Sequence, residues 1–460
     1  MRRLRTRRPC AQIAGSVVIG AKQGTGNCRA REARSAITSQ AFTALNVGGL
    51  FFPLAGRMGL PARATVTPKL TQLMVWAGSN LGSFSMASES LERLAGLQVS
   101  DRRIRRQVES VGADRVAERE TLVEQLKSKS LPERRSGNAL EESPELGVIM
   151  MDGGRFQRRD HFGRSRESDD ATCTHWRESK VGCLLQMSST VSDEDPCPQI
   201  PPEYAHASAV REIAKIAEKT TDSEDDRARE EMSDLNASSY VPPRLVTKDV
   251  VASGRCAEEF GWHLEAKAFA LNFPSAKRSA FVADGLRVNW SIQEKHFPHS
   301  VPIADIIHVL SYVWSAAQAS QSADAYQRWA QWIWQGDVKN VIAELRNLSE
   351  ALGKPEQEAP PTDPRYRIQR ALTYLSNNAP HMAYDQYRKQ GLPLTSAHIE
   401  STIKQINRRI KGTEKFWLQI MSECVLQLRA DSISDSRPLE QFWIRWQANQ
   451  SGSNRYQVAC

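Results

Sequence analysis

The sequence predicts an α/β fold in which a mixed sheet follows an all-helical region and is interrupted by a large helical insertion. Apolar runs of strand length recur at residues 147–154, 180–188, 244–252, 279–284 and 301–305. Helical patterns separate the later runs, and residues 318–390 are largely helical. A chain of 460 residues is long enough for two or three domains with their own cores.

Composition and periodicity divide the chain into segments. An acidic stretch of low hydrophobicity at 217–239 predicts a flexible insertion within the core. The segments are a basic N-terminal arm without periodicity, typical of disorder (1–60), a helical region (61–130), a linker rich in Ser, Glu and Pro (131–146), the first part of the core (147–317), the helical insertion (318–390), the second part of the core (391–446) and a tail (447–460).

A helix-turn-helix-like arrangement is predicted upstream of the linker. The segment FSMASESLERLAG reads as a short helix closed by Gly96, and Ser100 is a good N-cap for the long helix after the turn. That helix opens with four arginines, which in a recognition helix would meet phosphates or base edges: Arg102, Arg103, Arg105 and Arg106. A solvated helical face explains the same charges equally well.

The order of the core elements is three strands, helix, strand, helix, strand, helix, which is the order of the ribonuclease H-like α/β fold. In that layout the first and fourth strands are neighbours, so Asp152 and Asp284, which end these strands, should lie side by side. Taken singly, each aspartate precedes a glycine and reads as an ordinary strand-to-turn residue. Their joint position favours a functional site.

A third acid stands at the head of a helix in the segment GLPLTSAHIESTIKQINRRIKGTEKFW, residues 391–417. Helical spacing puts Glu400, Lys404, Asn407 and Lys411 on one face. Alone, Glu400 is more simply a surface ion-pair partner or an acid that stabilises the helix macrodipole. Beside the two aspartates it becomes a candidate ligand, and the basic residues after it become candidate contacts to a DNA backbone: Lys404, Arg408, Arg409 and Lys411.

Three carboxylates on one sheet edge repel one another unless cations neutralise them. An all-oxygen set suits Mg²⁺, which is commonly bound by a few carboxylates and substrate phosphates. Two such ions, about 3.5–4 Å apart, can activate the attacking oxygen and stabilise the leaving oxygen of a phosphoryl transfer. The sequence therefore predicts Asp152, Asp284 and Glu400 as catalytic ligands of two Mg²⁺ ions, with Mn²⁺ as a substitute.

Charge and cysteine content limit the functional classes. The net charge of +8 lies in the first 60 residues, with ten Lys or Arg and one acid, so it carries no nucleic-acid signal for the rest. The eight cysteines form no CxxC pair, which is typical of reduced thiols in a cytosolic protein. No apolar run approaches the ~18–20 residues of a membrane span. We therefore expect a cytoplasmic, nucleoid-associated protein.

Six segments between residues 147 and 443 carry a family resemblance: MMDGG, WRESKVGCLLQMSS, FVADGLRVNWSIQEKHFP, IADIIHVLSYVW, ALTYLSNN and GLPLTSAHIESTIKQINRRIKGTEKFW. They resemble the DDE transposases of bacterial insertion sequences, in a lineage related to Mutator-type elements. The resemblance implies Asp152, Asp284 and Glu400 as the catalytic triad, and Asp305 and His308 as a supporting Asp-x-x-His element. It also implies a homo-oligomer that cleaves double-stranded DNA at the element's ends and joins the freed 3′-hydroxyls to target DNA.

Two alternatives stay open. Relatives often carry a zinc-ribbon-like segment near the N-terminus, whereas Cys10 and Cys28 stand alone here, which fits a transposase-derived DNA-binding protein without turnover. A ribonuclease H-like nuclease would share the core, although the arginine-rich helix and the long insertion speak against it. His308 itself reads either as a core histidine or as a hydrogen-bond partner of Asp305.

Overall fold

The computed structural model describes residues 66–137, 142–159, 175–205 and 240–450, apart from residues 321, 323 and 357, together with three short N-terminal strands. These strands pair as an antiparallel sheet: β1 (Ala21–Gly26), β2 (Ile37–Thr43) and β3 (Leu50–Phe51). Most of the predicted basic arm and all of the predicted flexible insertion at 217–239 lie outside the described residues.

The remaining strands form one mixed sheet. They are β4 (Leu146–Arg158), β5 (Trp176–Ser188), β6 (Arg244–Ser253), β7 (Arg278–Ala283), β8 (Val301–Ala304) and the short β9 (Phe416–Trp417). The spatial order is β6-β5-β4-β7-β8, with β9 beside the far end of β4. The three longest strands run antiparallel, whereas β4, β7 and β8 run parallel to one another. The first and fourth strands of this sheet are therefore neighbours, as the sequence predicted.

Helices make up most of the rest of the described chain, joined by two single 3₁₀ turns at Phe273–Ser275 and Ala379–His381. They are α1 (Pro68–Asn80), α2 (Phe84–Ala95), α3 (Asp101–Lys127), α4 (Leu131–Ser136), α5 (Pro202–Ala205), α6 (Ala257–Ala270), α7 (Arg287–His296), α8 (Ile306–Ala319), α9 (Ala325–Trp334), α10 (Val338–Leu352), α11 (Pro364–Asn378), α12 (Tyr384–Lys389), α13 (Ala397–Ile410), α14 (Gln419–Ser432) and α15 (Pro438–Gln450).

The chain divides into two compact units, residues 1–111 with 438–460, and residues 112–437. In the first unit, α2 ends at Gly96, whose φ of 63° is the left-handed conformation that glycine adopts readily. The start of α3 buries Ile104 and Val108 against Gly78 of α1, where a Cβ atom would lie only 2.6 Å from the valine side chain. The close approach of α1 and α3 thus depends on that glycine.

The second unit contains the mixed sheet and begins within α3. The later part of α3 packs on α14 through two buried ion pairs, Arg115 with Asp431 at 2.8 Å and Arg119 with Glu423 at 2.9 Å. The second unit therefore includes the C-terminal half of the long helix, which these contacts join to the elements around the sheet. The predicted linker also contains helix α4, whose Ser130 forms a capping box with Glu133.

Candidate functional site

Three aspartates lie at one edge of the mixed sheet because its parallel strands end there in register. Val282 of β7 pairs with Met150 of β4, and Ala283 pairs with Ala304 of β8. Each of these strand segments is followed within two residues by an aspartate: Asp152, Asp284 and Asp305. The parallel arrangement therefore brings Asp152 close to Asp284 and Asp305, which lie more than 130 residues later in the chain.

The prediction that the strand ends at Asp152 is wrong. Strand β4 continues through Gly153 and Gly154 to Arg158, paired with β5 throughout. The parallel pairing with β7 stops at Met150, so Asp152 lies beyond the parallel ladder although it is inside an antiparallel one. Glycines do not prevent the strand from continuing, because the antiparallel ladder supplies hydrogen-bond partners for its backbone.

The helix that carries Glu400, α13, is attached to the same edge through Asp305. The backbone N–H of Ser396 donates to Asp305 Oδ2 at 3.2 Å, and the Ser396 hydroxyl donates a second, shorter bond to the same oxygen. Asp305 is fully buried, and its Oδ1 caps α8 by accepting from the Ile307 N–H at 2.8 Å. One buried carboxylate thus ties β8, α8 and the start of α13 together, and Glu400 lies in the first turn of that helix.

His308 lies one turn along α8 and contacts Asp305. Its Nδ1 is 3.2 Å from Asp305 Oδ2, so the histidine is a partner of this aspartate and not a lone core residue. Burial alone would lower the pKa of His308, but the hydrogen bond to Asp305, together with the charges of Asp305, Asp284 and Glu400, raises it to about 9. The imidazole is therefore protonated at neutral pH and donates to Asp305.

The acids at this edge interact electrostatically. Burial raises the pKa of Asp152 to about 7, and the charges of Asp284 and Glu400 add to the increase, against the Gly153 N–H and the His308 charge. Burial also raises the pKa of Asp284, although the Leu286 N–H and the Asn289 side chain partly offset it. The edge therefore holds excess negative charge that the single imidazolium only partly neutralises.

The residue types can hold a metal ion. Ligand atoms of Asp305, His308 and Glu400 lie within 4.8 Å of one another, which is close enough for one ion. Both oxygens of Asp305 already accept protein hydrogen bonds, however, and His308 can ligate only after it loses its proton. Asp152 and Asp284 accept fewer hydrogen bonds from the protein than Asp305 does, so their carboxylate oxygens are more available to bind a metal ion.

Two polar contacts that the sequence did not predict orient Asp284. The Asn289 side chain donates to Asp284 Oδ1 at 2.7 Å, and the Tyr374 hydroxyl donates to the backbone oxygen of Asp284 at 2.9 Å. Asn289 follows the aspartate by five residues and was visible in the motif FVADGLRVNW. Tyr374 comes from α11 in the helical insertion, ninety residues away, and no local pattern links it to the site.

The basic residues predicted on α13 do not all face solvent. Lys404 and Arg408 are exposed, and Lys411 is half-buried just beyond the last helical residue. Arg409 is 2% exposed, with its guanidinium 4.8 Å from the centre of the Trp417 ring. Its assignment as a DNA contact is therefore wrong for this conformation. Helical geometry explains this, because Arg409 shares the buried face of Ile399, Ile403, Ile406 and Ile410.

The arginine cluster of α3 is largely exposed. Arg102, Arg105 and Arg106 face solvent, while Arg103 is half-buried beside the apolar face of Ile104. Along the chain, α2 is followed by a turn at Gly96 and then by α3, which is the predicted order of elements.

No protein-family model matches this chain, and a comparison with characterised proteins finds no significant match. In the described part of the chain, none of the helices has the length and apolar character needed to cross a membrane.

Proposed function

We propose that this chain is a DDE-type transposase with a ribonuclease H-like catalytic core. It would act as a homo-oligomer on double-stranded DNA in the nucleoid, cutting at the ends of an insertion sequence and joining the freed 3′-hydroxyls to target DNA. The observation that carries the proposal is the convergence of Asp152, Asp284 and Glu400 on one sheet edge. They come from two neighbouring parallel strands and from a helix that is anchored to the next strand.

The donor set supports Mg²⁺ as the cofactor, with two ions bound by Asp152, Asp284 and Glu400. The ligands are oxygens only, as Mg²⁺ prefers. Burial, together with the charges of Asp284 and Glu400, raises the pKa of Asp152, and a divalent cation would relieve this cost. Bound Mg²⁺ supplies Lewis-acid activation of the attacking oxygen and charge stabilisation of the leaving oxygen.

The chain's own residues hold this arrangement in place. Asp305 fixes the first turn of α13, so the position of Glu400 relative to the strands depends on the two bonds from Ser396. Asn289 and the Gly153 N–H each bind one oxygen of a catalytic aspartate and leave the other for a ligand. His308 keeps a proton near neutral pH and reduces the repulsion among the acids. We assign Asp305 and His308 to positioning.

Exposed cations provide candidate DNA contacts in both units. Lys404 and Arg408 lie on the helix of Glu400, and the arginines of α3 lie in the helix-turn-helix-like region. Such contacts bind the phosphate backbone and make binding depend on salt concentration.

The catalytic proposal is tested by joining a pre-cleaved 3′ end to target DNA in Mg²⁺. Inverted repeats bordered by short direct duplications around the gene would supply the substrate. We expect Asp152→Asn, Asp284→Asn and Glu400→Gln each to abolish joining, whereas the exposed carboxylates in Asp193→Asn and Glu350→Gln serve as matched controls and should be dispensable. Full joining by any of the three site variants would refute the assignment.

The same proteins separate the alternatives. Sequence-specific duplex binding by the wild-type chain without cleavage in any divalent metal would favour a DNA-binding protein that has lost turnover. Cleavage without joining would favour a nuclease.

The DNA-recognition role of α3 has its own test. The variant in which alanine replaces Arg102, Arg103, Arg105 and Arg106 should show a smaller slope of log K against log salt. The fall is about 2.7–3.6 for three or four lost phosphate contacts, since each contributes about 0.9. An unchanged slope would assign these arginines to a solvated face.

A further inference from the structure

A cleft opens directly beside the catalytic edge, between the loop after Asp284 and the helical insertion. Its volume is about 690 Å³, and its walls include Gly285, Leu286 and Arg287 on one side and residues of α8 and α11 on the other. Gly285 lines the cleft and directly follows Asp284 in the chain, so this wall of the cleft adjoins one of the three acids.

The wall of this cleft is held in position by tight packing at Gly285. The residue has a φ of 90°, and a Cβ atom there would lie 2.8 Å from the Tyr374 ring and 3.0 Å from the Asn378 side chain. Tyr374 donates to the Asp284 backbone oxygen, and Trp290 of α7 donates to Asn378 at 2.7 Å. The cleft is therefore built rigidly onto the end of β7.

An aromatic stack extends from the site into the cleft. Tyr312 lies one turn beyond His308 on α8, and its ring stacks on Tyr374 with centres 3.9 Å apart and an angle of 10° between planes. The Arg370 guanidinium lies 4.9 Å from the centre of the Tyr312 ring. The aromatic stack of Tyr374 and Tyr312 therefore ends in the planar Arg370 guanidinium, which is exposed to solvent.

The charges in the cleft favour an anion. Arg287 and Arg370 are both exposed, and no ion pair engages either of them within the part of the chain that the structure describes. Glu356 is the acidic residue that lines the cleft, and its negative charge is partly neutralised by Arg365 at 3.8 Å. Exposed Leu286 and half-buried Tyr366 add apolar surface next to these cations.

We propose that this cleft binds a single DNA strand where it leaves the catalytic acids. The inference rests on the proposed function for the identity of the polymer. Arg287 and Arg370 contact its phosphates, and the neighbouring apolar surface of Leu286 and Tyr366 contacts a base. The tyrosine stack holds Arg370 in place. Arginines that bind the backbone, combined with stacking surfaces, are the usual means of holding unpaired strands. A volume near 690 Å³ resembles small-molecule pockets and accepts one or two nucleotides.

The test compares two oligonucleotides in EDTA, where no metal chemistry takes place. One is a blunt duplex, and the other is the same duplex with a short single-stranded overhang, prepared in either polarity. The full-length wild-type protein should bind the overhang DNA more tightly and with a steeper salt dependence. In the double variant Arg287→Ala/Arg370→Ala the slope for overhang DNA should fall by about 1.4, since each contact to a single strand contributes about 0.7.

Three controls make the result specific. Arg287→Lys/Arg370→Lys keeps both charges and should restore the slope, and Arg346→Ala removes an exposed arginine of the insertion outside the cleft and should change nothing. Binding of the blunt duplex should be the same in all variants, which also reports that they are folded. Wild-type binding without preference for the overhang, an unchanged slope in the double alanine variant, or an equal fall for both DNAs would each overturn the proposal.

These outcomes are distinct from those of the catalytic test. If the three acid variants keep joining activity while the overhang preference depends on the two arginines, the catalytic assignment fails and the cleft assignment stands. If instead the three acid variants lose joining activity and the overhang preference does not depend on the two arginines, the cleft assignment fails and the catalytic assignment stands.

Discussion

Replacing Asp152 by asparagine is expected to stabilise the metal-free protein at pH 8 and to leave its stability unchanged near pH 4. Burial and the neighbouring Asp284 raise the pKa of Asp152 from 3.8 to about 7 in the folded state. The native state therefore binds this proton more tightly than the unfolded state, and wild-type stability should fall as pH rises from about 4 to about 7. Asparagine carries no charge and should remove that decline.

The size of the effect follows from the pKa difference. At 1.36 kcal/mol per pKa unit, charging the folded Asp152 costs about 4 kcal/mol above pH 7, which is an upper value. The side chain is only partly shielded from water, so we expect roughly 2–3 kcal/mol. The side-chain oxygen of the introduced asparagine can still accept the Gly153 N–H bond that Asp152 accepts at 2.6 Å.

The measurement is urea unfolding of wild type and Asp152→Asn in EDTA at several pH values between about 4 and 8.5, with the exposed Asp193→Asn as control. The difference in midpoint should grow with pH at an unchanged m-value. Adding Mg²⁺ should largely cancel the difference, because a ligand at 100 times its Kd stabilises the wild type by about 2.7 kcal/mol. A pH-independent difference, or equal stabilisation of both proteins by Mg²⁺, would refute the reasoning.

Three further changes have definite expected outcomes. His308→Gln should remove up to about 3 kcal/mol of stability, because the pKa of His308 is higher in the folded state than in the unfolded state. This contribution is fully present below pH 6.5 and disappears as pH rises through about 9, which unfolding measured at several pH values checks. Gly285→Ala should lower the free energy of unfolding by about 1–3 kcal/mol more than Gly353→Ala, since both have positive φ but only the former meets other atoms. Arg409→Ala should lower the free energy of unfolding by about 1–3 kcal/mol, because the buried arginine loses its packing contacts. Lys404→Ala, at an exposed position, should change it by less than about 0.5 kcal/mol, and thermal unfolding compares the two variants.

Much of the sheet could be predicted from the sequence, because buried strands need apolar runs of a characteristic length. The runs ending near Asp152 and Asp284 identified β4 and β7, and their order along the chain predicted that these strands are neighbours. The starts of α3 and α8 were also predictable, since Ser100 precedes the long helix and Asp305 caps the other through its own side chain.

The candidate site was predictable only in part. Aspartates at strand ends are a local signal, but the partners that orient them are not. Tyr374 reaches Asp284 from the insertion, and Ser396 reaches Asp305 across the sheet edge. The continuation of β4 past Asp152 also escaped prediction, because the diglycine reads as a turn unless the pairing of β4 with β5 is known.

The sequence by itself determined which acids are available, which strands carry them and in what order those strands follow one another. Tertiary structure alone decided which cations face solvent, so that Arg409 turned out to be buried while Lys404 is exposed. It also decided the protonation of the site, with the pKa of Asp152 near 7 and that of His308 near 9. The reason is physical: periodicity is local, whereas burial and charge interaction depend on which distant residues the packing brings together.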